Sequence, residues 1–299
     1  VVFESMGRLF VKRDGEEAKR LTRDTGTAVE FSPAFSPDGK DVYFLTWSDD
    51  ELGSVRKVSA RGGRSKNVLA TPGHYVDLSI SRDGETLLFT KLSGSSLTNP
   101  HWGKKPGIYV FELGDDEVQF VSRRGRSPHF GPGDRIYATE RVSSAVGRGS
   151  DDASSELISM KHDGEDVRTH ASSPLATVIR ISPSGKHVAY REAGRLYVAA
   201  LPMTGRSIDL SAIENTASGA AAYATERVSA PGGEFIHWSA NSTSLTWSVG
   251  PRFFQYDVDG SLGTGANEAR QIADLSLSVD SDRPRGLVAF TNARVITMN

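Results

Sequence analysis

The chain has 299 residues, a formal net charge of −2, a pI near 6.4 and no cysteine. That charge balance carries no electrostatic footprint for nucleic acid or an anionic membrane surface. The absence of cysteine excludes a disulfide framework, a thiolate-bound metal and a cysteine nucleophile, and no apolar run approaches the roughly 20 residues of a membrane helix.

Val1 to Phe3, Leu9 to Val11 and Ala18 to Thr22 read as three short strands, with a turn at Asp14-Gly15. The chain opens directly on a strand and shows no signal peptide, so a trimmed N-terminus is expected. Phe31 to Leu69 follows as the most regular segment. It contains the phrase Phe35-Ser36-Pro37-Asp38-Gly39. An apolar residue ends one strand there, and Pro, Asp and Gly then suit a tight turn for three different reasons: a fixed φ, a side-chain bond to the backbone and tolerance of positive φ.

Copies return as Ile80-Ser81-Arg82-Asp83-Gly84 and Ile181-Ser182-Pro183-Ser184-Gly185. Looser ones are Phe130-Gly131-Pro132-Gly133-Asp134 and Trp238-Ser239-Ala240-Asn241-Ser242. The spacings are 45, 50, 51 and 57 residues, a period typical of repeat architectures. Each phrase is followed by an apolar second strand, such as Val42-Tyr43-Phe44 or Leu87-Leu88-Phe89. A third strand comes next, such as Ile108-Tyr109-Val110 or Leu196-Tyr197-Val198, and then a more polar fourth. Third and fourth strands occur six times, the fifth pair ending at Ser207 to Leu210 and the sixth at Arg270 to Ala273. The Ala-rich stretch Ala217 to Ala224 reads as a connection.

These units predict an all-β fold, a six-bladed β-propeller of four-stranded blades, over residues 1–279. The first blade lacks its innermost strand, which is expected from upstream residues. Residues 280–285 read as a linker, and residues 286–299 as two strands that fit no blade position and begin a following domain.

The seven histidines, His74, His101, His129, His162, His170, His187 and His237, show neither His-X-His nor i, i+4 spacing. There is no Gly-X-Ser-X-Gly elbow and no phosphate-binding glycine pattern. Asp49-Asp50-Glu51 and Asp151-Asp152 read as solvated acidic turns, without the glycine-spaced loop of a calcium site. The expectation is therefore no catalytic residue, no metal ligand and no cofactor in this chain. The candidates for a binding face or channel are Trp47, His74, Tyr75, Trp102, Arg180, His237 and Trp238. All lie at blade corners or beside inner strands, where propellers present recognition surfaces.

The Ser-Pro-Asp-Gly repeats resemble the TolB-like six-bladed propellers, a group that also heads prolyl oligopeptidases. Five further stretches are similar to the N-terminal propeller of bacterial exported proteins with a metal-dependent amidohydrolase domain. They are Met6 to Val11, Thr46-Trp47 with Leu52 to Val55, Pro72 to Val76, Glu234 to Ser239 and Gly286 to Met298. The resemblance implies that Ala289 to Met298 opens the β-sandwich of that hydrolase, and that zinc or a similar divalent metal belongs to the hydrolase alone. It implies a non-catalytic propeller that docks on the hydrolase domain of the same polypeptide and restricts or recognises a peptide or small amide, in a periplasmic or secreted protein. The alternatives are a free-standing TolB-like protein-interaction module of the bacterial envelope and, with thin support from Arg180 and His237, a propeller enzyme.

Overall fold

The computed structural model describes residues 1–24, 26–69, 71–93, 105–143, 153–202, 205–210, 223–229, 231–258, 262–279, 286, 289 and 291–294. These form six β-sheets and no helix. The first sheet holds β1 (Val2–Ser5), β2 (Arg8–Val11) and β3 (Lys19–Arg20). The second holds β4 (Val29–Phe35), β5 (Asp41–Ser48), β6 (Leu52–Ser59) and β7 (Lys66–Leu69). The third holds β8 (Tyr75–Ile80), β9 (Thr86–Lys91), β10 (Gly107–Glu112) and β11 (Gln119–Ser122). The fourth begins β12 (Arg126–Gly131), β13 (Arg135–Ser143), β14 (Ala153–Met160), β15 (Arg168–Ser173). The fifth begins β16 (Ala176–Ile181), β17 (His187–Glu192), β18 (Arg195–Ala200). The sixth is β21 (Glu234–Trp238), β22 (Ser244–Val249), β23 (Arg252–Asp257), β24 (Arg270–Asp274). The strands named here pair antiparallel as meanders, and the first sheet has three, with no innermost one among the described residues.

One predicted strand is placed elsewhere. Residues 207–210 do not complete the fifth sheet. Instead β19 (Ile208–Asp209) joins the outer edge of β15 in parallel, pairing Ala171 with Ile208. The fourth strand of the fifth sheet is β20 (Thr225–Ser229), antiparallel to β18. The reason is packing: Ile208 and Leu210 are buried with Ala171, Tyr137 and Ala199 between the fourth and fifth sheets, while Val228 is buried toward the sixth. Outer strands are half solvated, so their polar pattern does not specify which edge they join. Within the presumed connection, Ala224 accepts the Ala200 N–H at 2.8 Å. The rest of 217–224, apart from Tyr223, lies outside the described residues, as do most of 286–299 and the linker.

Five buried apolar clusters hold the ring, each between two successive sheets. Alternation along the middle strands feeds both neighbours, as period-two side chains must. Leu87 and Phe89 face the second sheet, and Leu88 faces the fourth.

The repeated phrase is a hydrogen-bonded device. Ser36 donates to Asp38 Oδ1 at 2.7 Å, Asp38 Oδ1 accepts the Lys40 N–H at 3.1 Å, and Ser36 Oγ accepts the Asp41 N–H at 3.0 Å. The pattern recurs at Ser81 with Asp83 and Thr86, and at Ser239 with Asn241 and Ser244. It satisfies the turn's backbone donors locally. These bonds hold the Asp38 carboxyl well below the usual carboxylate range, the Ser36 hydroxyl contributing most.

Candidate functional site: the central channel

The inner strands carry a second repeated feature. Their pairing is interrupted between Phe31 and Ala34, Val76 and Ser79, Arg126 and His129, and Glu234 and His237. In each gap one residue adopts positive φ: Ser32 (50°), Asp77 (58°), Ser127 (51°) and Phe235 (53°). A bulge of this kind bends the strand and re-aims the side chains that follow it. In β16 the shift falls between Ala176 and Val178 without such a residue.

Directly before each turn phrase stand Ala34, Ser79, His129, Arg180 and His237. They occupy one register position of five inner strands, which places them around the channel. His129 Nε2 accepts the Ile181 N–H at 3.1 Å, and its Nδ1–H donates to the Ser127 carbonyl at 3.2 Å. Both ring nitrogens are thereby committed, and the neutral Nδ1–H tautomer is required. Burial, then the nearby Arg180 charge, push its pKa down to about 3.

Desolvation lowers the His237 pKa to about 4, with the Arg180 charge adding to the shift, although the residue as a whole is exposed. Enclosure also pulls the Arg180 pKa down, and Asp77 opposes that shift. Asp77 accepts the Ser127 N–H at 3.3 Å across two sheets. Among the described residues the Arg180 guanidinium makes no salt bridge, and the Asp77 carboxylate is the opposite charge that acts on it.

Of the residues singled out from sequence, Arg180, His237 and Trp238 come together: Trp238 Nε1 donates to the Arg180 carbonyl at 3.1 Å, and its ring stacks on His187 at 6.3 Å. Trp47 and His74 also meet, ring to ring at 4.7 Å, at a corner between the second and third sheets. Tyr75 lies in the core, 1% exposed, with its hydroxyl donating to the Thr71 carbonyl at 2.7 Å. Trp102 lies outside the described residues. His129 and Asp77 escaped the sequence reading. Aligning the five turn phrases on their first residue would have found His129 beside Arg180 and His237.

A serine–histidine pair that no spacing along the chain signals joins Ser159 Oγ to His170 Nε2 at 2.7 Å. Arg135 Nε donates to the same hydroxyl at 2.9 Å, and Ser159 is fully buried. A hydroxyl with no access to substrate is a packing element. Among the described residues no group of three His, Asp or Glu side chains is placed to hold a metal ion.

No protein-family model matches the chain, and no curated protein matches it. Solved structures do. TolB from Acinetobacter baumannii is 16% identical, with a TM-score of 0.57, covering 88% of this chain and 61% of that one. Hydrazine synthase from Kuenenia stuttgartiensis is 12% identical, with a TM-score of 0.58, covering 89% and 41%. An oligogalacturonate lyase in complex with manganese is 14% identical, with a TM-score of 0.53, covering 89% and 70%. The chain spans 61% of the length of that TolB chain. At these identities the likeness is one of fold: a TolB-like six-bladed β-propeller, shared by proteins of unrelated activity.

Proposed function

We infer that this chain is a non-catalytic recognition propeller. It docks through one face on a metal-dependent amidohydrolase domain of the same polypeptide, in an exported bacterial protein, and admits or selects a peptide or small amide. One observation carries this reading. Met6, Leu52, Leu92, Leu175 and Phe235, exposed by 40–73%, sit at second-to-third-strand turns or where the chain enters an inner strand. Both kinds of segment lie on the same face of the ring. The opposite face presents the Ser-Pro-Asp-Gly turns, and its large exposed apolar side chains among the described residues are fewer and less exposed, Val1, Phe35 and Val167 at 37–44%. Apolar groups gathered on one side mark a surface meant to be covered. Arg180 supplies a cation in the channel beneath it for the charged end of a peptide.

Cross-linking the full-length protein from single cysteines at positions 6, 52 and 235 tests the docking. Links to the hydrolase domain are expected from all three and none from a cysteine at position 38. Links from position 38 alone overturn it. Metal-dependent amide hydrolysis by the isolated chain overturns the non-catalytic assignment. The free-standing envelope module remains the second reading, favoured by the same apolar face, and capture of a separate envelope protein by that face would select it.

A further inference from the structure

Between the first and second sheets lies a cleft of about 490 Å³ lined by four arginines, Arg8, Arg23, Arg56 and Arg64, with Asp24, Glu30 and Glu51. The carboxylates are unequally committed. Asp24 Oδ1 accepts the Ser65 N–H at 3.3 Å, and its Oδ2 accepts the Ser65 hydroxyl. Glu30, 2% exposed, accepts the Leu9 N–H at 3.0 Å and the Thr22 hydroxyl at 2.8 Å. Only Glu51, exposed at the rim, keeps a carboxylate without a hydrogen bond from another described residue.

The arginines are committed differently. Arg8 is spent on the wall, donating to the Ala28 carbonyl at 2.5 Å and the Gly26 carbonyl at 2.8 Å. Arg56 Nε donates to Ser65 Oγ at 2.6 Å, which fixes its fork and leaves both terminal nitrogens without a described partner. Arg23 and Arg64 form no salt bridge with a described residue. Four guanidiniums and three carboxylates thus line the cleft, a small positive excess, and Arg23, Arg56 and Arg64 keep donors free in a cleft whose other polar groups include Asn67 and Ser48. Guanidinium forks match carboxylate and phosphate oxygens two at a time, and a fixed fork loses little freedom on binding.

The geometry points to a second binding site here, separate from the channel, for a small molecule bearing two or more carboxylate or phosphate groups. Arg56 is its anchor, Arg23 and Arg64 are its outer clamps, and Glu51 is a charge that weakens it.

Calorimetric titration of the intact chain with citrate and, separately, with inorganic pyrophosphate tests the assignment. Saturable one-site binding of at least one is expected; citrate alone marks a carboxylate site, pyrophosphate alone a phosphate site. Arg56→Gln and Arg64→Gln should each weaken it about tenfold, and Glu51→Gln should tighten it several-fold. Arg82→Gln, in the third-sheet turn on the opposite face, should leave it unchanged. Arg64 holds no other described residue, so its variant keeps the native melting temperature and isolates binding from folding. Absence of saturable binding of both anions, or equal weakening by Arg82→Gln and Arg64→Gln, overturns the proposal.

Discussion

The imidazole of His129 joins two blades through one atom: Nε2 accepts the Ile181 N–H at 3.1 Å. Protonation would turn that acceptor into a donor facing another donor. The folded pKa, about 3, lies below the ordinary 6.5, so the unfolded chain binds the extra proton between those values. The stability this group confers is complete above about pH 6.5 and is lost as pH falls toward 3. The loss should reach roughly 3 kcal/mol by about pH 4. Urea unfolding of the native chain and of His129→Gln across this range should show a slope that the variant lacks.

Glu30 ties the second sheet to the first through the Leu9 N–H and the Thr22 hydroxyl. Glu30→Leu leaves both donors buried and unpaired, and should cost about 3 kcal/mol by chemical denaturation. Because the first sheet has three strands among the described residues, proteolysis should then begin within residues 1–24.

Gly53 is the second residue of β6, where a Cβ would stand 2.2 Å from the Gly73 carbonyl oxygen. Backbone cannot yield as a flexible side chain can. Gly53→Ala should therefore cost about 3 kcal/mol, whereas Gly15→Ser, whose site is sterically open, should cost about 1 kcal/mol through its positive φ alone.

Phe235 holds a bulky side chain at φ 53° and leaves 73% of it exposed, a combination that is costly for folding and useful for contact. Asn tolerates this backbone region better. Phe235→Asn should raise stability by about 0.5–1 kcal/mol while weakening attachment to the proposed hydrolase domain, read by thermal melting and by affinity measurements on the same samples.

Much of this was legible in the residues alone. The turn phrase, its period and the alternation of Leu87, Leu88 and Phe89 determine strands, sheets and a repeated ring, because hydrogen bonding within a turn and side-chain alternation are local properties. The clustering of Arg180, His237 and Trp238 was partly visible as well, since all three adjoin turn phrases. What only the tertiary structure decided depends on which edges and surfaces meet. Ile208 could have extended either of two half-solvated edges, and the space beside Ala171 settled the choice. His129 became a link between blades only when Ile181 arrived opposite it, and Tyr75, which had the look of a surface aromatic, was enclosed by Phe89. The arginine cleft gathers Arg8, Arg23, Arg56 and Arg64 from separate segments of two sheets, and no spacing along the chain encodes that convergence.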